Sequence, residues 1–519
     1  MKRYAFSFCV FTFFLSFYIL TASDRVDVLD GWLRYQKAKS VISGQSFVKN
    51  VRQYSYFKSY TDVELQSHEK FPAAHWGQII TFIPLVVFGN IFPKAYNASF
   101  LFGNFLNCFF AAGLCLLFFK FLLLLGYSRK ISFITTLALA FSSMMWVYSK
   151  SVFDNMQAAF FVFATFYVFY KFIHTRRHHF FYLSIVLFLC AWFTRFTVLV
   201  TSPLWVYMGY WAYQSSPTVQ GKKQFLKHVY AFLCFCSTAI FIFWIYLDPF
   251  VFDAFFKTIV SAFEKNTFWK AITVFLVSPT KSIFLFNPLL LLSLFWFFFF
   301  KKVHFQISIC IALISFSYLL GYAMYPAYGG DPAWGPRYVL PVIPFVFIPL
   351  ASLLYRAAYL WKMAFYGFLL FGMFVQLPGV LIAYSTYTRE ANYERKLPRW
   401  FYDEPDTSFS YYMNPKLSAP FWLMKDLVKI YSRQKVYHLK DKKKQKEELI
   451  YQRFTPFLNK QALQEAFEKE ISHNTVNLWW IRAPYKNKEQ FFFQLILFSF
   501  MLIMFFITLM GLKIQWREN

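Results

Sequence analysis

FLFGNFLNCFFAAGLCLLFFKFLLLL, residues Phe100 to Leu125, decides the fold: it is interrupted by a single charge, Lys120. A helix of about 20 apolar residues is long enough to cross the hydrocarbon core of a bilayer. Runs of the same character recur along the 519 residues, which are 58% hydrophobic and 24% aromatic against 15% charged. That balance excludes an ordinary soluble domain and predicts an all-α polytopic membrane protein.

The formal charge of +28 does not point to nucleic acid. Lys and Arg fall largely in short clusters between apolar runs, where they set the orientation of spans and attract anionic lipid. Lys2 and Arg3 precede Tyr4–Leu20, read as a first span rather than a cleaved signal because many spans follow. The polar loop Asp24–His75 then lies outside. FPAAHWGQIITFIPLVVFGNIFPK, Phe71–Lys94, is broken by Pro84 and Gly89. Counting it as a span would put later basic clusters outside, so it is assigned to the outer interface.

The remaining spans run Phe100–Leu125, Ile131–Tyr148, Phe153–Phe172 with Asp154 just outside, and a hairpin Phe180–Tyr213 turning near Arg195. Tyr230–Leu247, an outer loop Asp248–Ser282, Ile283–Phe300, Phe305–Tyr325, Val339–Tyr355, Met363–Tyr384 and Phe491–Leu512 follow. The expectation is about twelve transmembrane helices with both termini cytoplasmic. Residues 1–388 form the membrane domain with an outer loop at 22–76, residues 389–488 a small outer-face domain before the last span, and residues 489–519 that span and its tail.

The seven cysteines sit inside apolar runs without zinc-ligand or disulfide-framework spacing. No nucleotide-binding glycine loop, dinucleotide fingerprint or His-Glu-x-x-His sequence occurs. Chemistry must come from ionisable groups near the membrane boundary, which are costly there and point to function. The topology brings to one side Asp24, Asp27, Asp30, Arg34, Lys37, Glu69, His75, Asp154, Arg195, Lys281, Asp331 and Arg337. The first three aspartates, three residues apart, would share one helix face. The bland alternative is a set of charges snorkelling at helix ends. VSPTKSIFLFNPLLLL, Val277–Leu292, and YGGDPAWGPRYVLPVIP, Tyr328–Pro344, sharpen the functional reading. Amides at a helix start beside Arg337 make a phosphate-binding corner.

The order of these pieces resembles the bacterial polytopic glycosyltransferases of the GT-C type, the group of the dolichyl-phosphate-mannose protein mannosyltransferases and the lipid A aminoarabinose transferases. The likeness is carried by DGWLRYQKAKSVISGQ after the first span, KFPAAHWGQIITFIPL, Asp154, Thr194–Phe196, VSPTKSIFLFNP, YGGDPAWGPRYVLPVIP and MNPKLSAPFWLMKDL at Met413–Leu427. It implies sugar transfer from a polyisoprenyl-phosphate donor to a lipid, glycan or protein acceptor at the outer face of a bacterial inner membrane. By the resemblance Asp30 is the catalytic base, Asp27 is its rival, and Asp154 matches the acidic position of the second outer loop. The chain lacks the adjacent acidic pair of the mannosyltransferases.

The chemistry is consistent with the residues themselves. A lipid phosphate is a good leaving group, stabilised by cations such as Arg337, Lys281 or Arg195. A hydroxyl acceptor needs a carboxylate base, and direct attack inverts the anomeric centre. A divalent metal bridging carboxylate and phosphate fits this chemistry, although three aspartates in a loop do not establish one. Two other readings are a flippase or exporter of lipid-linked sugars, and a scaffold that docks a partner through residues 389–488. The absence of an internal repeat and the position of the charges at the outer face count against the first.

Overall fold

The computed structural model describes residues 2–23, 28–52, 65, 66, 69, 75–216, 218–223, 225–227, 230, 267–325, 328–330, 333–382, 409, 412–415, 418–421, 423, 424, 427, 477–483 and 488–517. Every regular element among them is a helix. Six are long and apolar enough to cross a membrane: Ala98–Leu124, Asp154–Thr175, Phe305–Ala323, Arg337–Arg356, Tyr359–Leu381 and Lys488–Lys513. Ala5–Leu20, Trp76–Asn90, His178–Thr194, Thr267–Val277 and Leu289–Lys301 are apolar and shorter. Asp24, Asp27 and Asp331, the expected span Tyr230–Leu247 beyond its first residue and most of residues 389–488 lie outside the described residues.

Successive helices run alternately between two ends of a bundle. The first helix, Lys2–Leu20, and the last, Lys488–Arg517, are antiparallel neighbours: Phe13 stacks on Phe505 at 5.2 Å, and Gly511 lies beside Cys9. Both described chain ends therefore share one end of the bundle. Leu20, Asp154, Arg195, Tyr322, Arg337 and Leu381 lie at the other. Much of the surface of the last helix is exposed and apolar, with Ile496 and Met510 more than half exposed. Such a surface is stable against lipid and unstable against water.

The break at Arg195 falls where the sequence places it. His178–Thr194 ends there, Arg195 is extended, and Ser202–Gln214 returns. Asp154, expected just outside its span, is instead the buried first residue of Asp154–Thr175, because cations from other segments surround it.

One expected span is broken and another is irregular, each with a local cause. Ile131–Tyr148 divides into Arg129–Phe141 and Met145–Lys150. Ser142 and Ser143 donate back to Ala138 and Leu139, and the Met144 amide donates to the Asn287 side chain at 3.0 Å. Arg337–Arg356 contains Pro341, Pro344 and Pro349, which lack the amide that continues an α-helix, and it begins as a 3-10 turn. Part of the expected loop Asp248–Ser282 is the apolar helix Thr267–Val277, packed on Phe305–Ala323. Such breaks survive at membrane depth only where protein groups satisfy the freed backbone.

Trp76–Asn90 packs on Leu29–Ser43, on Ala98–Asn104 and on His178–Thr194, and its start abuts Arg195. Two glycines permit the close approaches here: a Cβ on Gly77 would meet the Thr194 amide at 2.5 Å, and one on Gly31 the Val152 carbonyl at 2.4 Å. Residues 477–483 clasp the same end. The Trp479 and Trp480 indoles donate to the Ile19 and Leu20 carbonyls at 2.7 and 2.8 Å, and the Asn477 amide donates to Leu381 at 2.6 Å. These bonds satisfy carbonyls that the ends of two helices leave open.

Cys9 and Gly511 give a direct test of the antiparallel pair. With a Cβ at position 511 only 3.2 Å from the Cys9 sulfur, Gly511→Cys is expected to form an intrachain disulfide with Cys9 under mild oxidation. Peptide mass spectrometry reads the crosslink, and failure to find it contradicts this packing.

Candidate functional site

Asp154 is the centre of the site. Its Oδ1 accepts a hydrogen bond from the Arg195 guanidinium at 2.7 Å. Its Oδ2 lies 3.5 Å from Arg34 and 3.8 Å from His75 Nε2. The side chain is 4% exposed, so the carboxylate depends on these partners and on the amide dipoles of the helix it begins. Arg337 also lies close enough for its charge to act on Asp154.

Each cation is aimed by a second set of contacts. Arg34, on the outer helix Leu29–Ser43, donates to Gln78 Oε1 at 2.7 Å, while Gln78 Nε2 donates to the Val152 carbonyl at 3.1 Å. One buried amide thus ties the outer helix to the turn preceding Asp154. Arg34 also bonds His75 Nδ1 at 3.1 Å. A guanidinium only donates, so Nδ1 accepts and Nε2 carries the proton that faces Asp154. Burial, then the neighbouring Arg34 charge, pushes His75 from 6.5 down to about 4.

Arg195 directs its Nε to Tyr322 at 3.1 Å and Thr197 at 3.0 Å, and lies over the Tyr338 ring at 5.0 Å. Tyr338 stacks on Tyr322 with centroids 4.6 Å apart. Arg337 lies over Phe153 at 4.7 Å and over Tyr338 at 5.0 Å, and its carbonyl accepts from Asn155 at 3.1 Å. Ring faces within this distance attract a cation by about 0.5–2 kcal/mol each. The aromatic bed therefore offsets part of the repulsion among three guanidinium groups.

Lys281, expected at the phosphate, lies against the turn that precedes Arg337. Its buried ammonium donates to the carbonyls of Ala333 at 2.7 Å and Gly335 at 3.2 Å. The Gly- and Pro-rich turn leaves carbonyls that no helix satisfies, and Lys281 holds two of them. Tyr148 donates to the Trp334 carbonyl and the Trp334 indole to Gln376, both at 2.8 Å, completing the grip on that turn. Lys37 pairs with Glu69 away from Asp154.

Asp30 is half-buried in the first turn of the outer helix, four residues before Arg34, and its charge acts on that guanidinium. Of the charged residues expected to converge, the structure brings together Asp30, Arg34, His75, Asp154, Arg195 and Arg337. Gln78, Tyr322, Tyr338, Thr197 and Asn155 complete the site. Sequence reasoning did not single these out, and Gln78 within an apolar helix was the clearest signal for one of them. Both Asp154 oxygens face cations, so the group can hold guanidiniums in place but is a poor proton acceptor. Among the described residues no such clamp surrounds Asp30. Among the described residues no His, Cys, Asp and Glu side chains gather in a group of three or more able to hold a metal.

No family model, curated protein or solved structure matches the chain.

The depressed His75 value fixes a pH dependence. Neutral His75 contributes stability that is fully present above its ordinary 6.5 and is lost as pH falls through about 4. Thermal unfolding in detergent across that window is expected to show the loss, and His75→Gln to flatten it. An unchanged slope in the variant contradicts this role.

Proposed function

We propose that the chain is a membrane glycosyltransferase that moves a sugar from a polyisoprenyl-phosphate donor to a hydroxyl acceptor. The observation that carries this reading is the convergence of cations at the site. The guanidiniums of Arg34, Arg195 and Arg337 gather around the buried carboxylate of Asp154. Guanidiniums so placed offer a phosphate oxygen charge-assisted hydrogen bonds.

The geometry supports the following roles. Arg195 and Arg337, steadied by Tyr322 and Tyr338, bind the donor phosphate and stabilise the charge that develops as the sugar–phosphate bond breaks. Asp154 positions these cations. Asp30 takes the proton of the acceptor hydroxyl as its oxygen attacks the anomeric carbon, so the reaction inverts that centre. Lys281 holds the turn that presents Arg337.

An outer-face domain at residues 389–488, about twelve spans, a GT-C-like architecture, cytoplasmic termini and a bacterial inner membrane belong to the same proposal. The alternation of helices and the shared end of the first and last helices support it. The contacts of Tyr412 and of residues 477–483 with the Asp154 end support placing 389–488 on the site side. A flippase would carry its charged groups near mid-depth, whereas this cluster lies at helix ends.

Membranes containing the protein are incubated with a panel of radiolabelled polyprenyl-phosphate sugars, and loss of label from the lipid is followed. Asp30→Asn is expected to reduce turnover by about 10²–10⁴-fold while thermal stability stays near that of the parent. Full transfer by the variant removes Asp30 from the mechanism, and no transfer from any donor by the parent contradicts the function.

A further inference from the structure

The opposite end of the bundle carries a second charged surface that the proposed reaction does not use. Three chain-distant segments meet there. The Tyr127 ring lies 6.0 Å from His304 and 6.2 Å from Tyr355, and its hydroxyl bonds Ser352. Arg356, the last residue of Pro349–Arg356, is close enough for its charge to reach both Tyr127 and His304. Lys301 and Lys302 end the neighbouring helix, both exposed, with their ammonium groups 5.7 and 5.8 Å from the Phe305 and Phe299 rings.

No acidic side chain among the described residues lies at this end. Asp30, Glu69 and Asp154 belong to the other end, and Glu489 begins the last helix there. Among the described residues, then, no carboxylate accompanies the cations around Tyr127. The rim is apolar as well as basic: Phe305 is 52% exposed, Tyr355 60%, and Tyr359 and Leu360 77%. A soluble anion has no use for such a rim. An acyl chain does, because apolar surface beside a cationic pocket matches a molecule with an anionic head and a hydrocarbon body.

We propose that this surface, formed by Tyr127, Lys301, Lys302, His304 and Arg356, binds the headgroup of an anionic phospholipid in the leaflet opposite the Asp154 site. The phosphate sits between Lys301, Lys302 and Arg356, and the acyl chains lie along Phe305 and Tyr359. The site holds one leaflet against the bundle at the junction of three helix ends. It is independent of the transfer chemistry.

Native mass spectrometry of the full-length protein, released from mixed micelles of phosphatidylglycerol and phosphatidylcholine, reads the preference directly. The parent is expected to retain phosphatidylglycerol selectively. Lys301→Gln/Lys302→Gln/Arg356→Gln should reduce that preference by about fivefold per charge removed, whereas Arg356→Lys should keep it. Lys222→Gln/Lys223→Gln/Lys227→Gln removes as many charges from another part of the same end and should leave the preference intact. The proposal is overturned if the first triple variant still selects phosphatidylglycerol, if both triple variants lose it equally, or if inorganic phosphate displaces the lipid.

Discussion

The buried ion cluster of Asp154 with Arg195 and Arg34 is the constraint on which the rest of the site end depends. Asp154 begins one helix, Arg195 breaks a hairpin, and Arg34 belongs to the outer helix. One carboxylate thus fixes the relative positions of three segments far apart in sequence. Stripping one partner from such a cluster typically costs about 3–5 kcal/mol, because it leaves a buried charge uncompensated. The cluster specifies geometry more than it adds stability, since its charges were well solvated before folding.

Uncharged groups make this concentration of charge tolerable. Gln78 joins Arg34 to the Val152 carbonyl, and Tyr322, Tyr338 and Phe153 place hydroxyl and ring faces against two guanidiniums. The close contacts at Gly31 and Gly77 let the helices Leu29–Ser43 and Trp76–Asn90 approach near enough to deliver Arg34 and His75. The proposed chemistry inherits that arrangement: a rigid cationic wall for the donor phosphate and, on the outer helix, the less constrained Asp30 for the acceptor.

The sequence announced charged residues better than it announced their partners. A lone Arg195 between apolar runs marked a turn, and Asp154 and Arg337 at the starts of spans marked the site, because a charge at a membrane boundary has few bland explanations. Gln78, Tyr322 and Tyr338 were hidden because amides and tyrosines inside apolar helices look like ordinary packing. The contacts of Lys281 with the carbonyls of Ala333 and Gly335 were hidden for a different reason: backbone acceptors leave no signature in side-chain order. Hydropathy likewise gave Ile131–Tyr148 as one unbroken span. Its break, where Asn287 reaches the Met144 amide, and the 3-10 start within the proline-rich span Arg337–Arg356 are effects of tertiary contact and local sterics that an apolar average does not register.

Determining the structure of the full-length protein with a polyisoprenyl phosphate bound tests the central claim most directly. The account predicts that the phosphate lies within hydrogen-bond distance of Arg195 or Arg337, with the Asp154–Arg195 pair intact and Asp30 facing the position that a sugar on that phosphate would occupy. A phosphate seated elsewhere on the bundle, with these guanidiniums untouched, contradicts it.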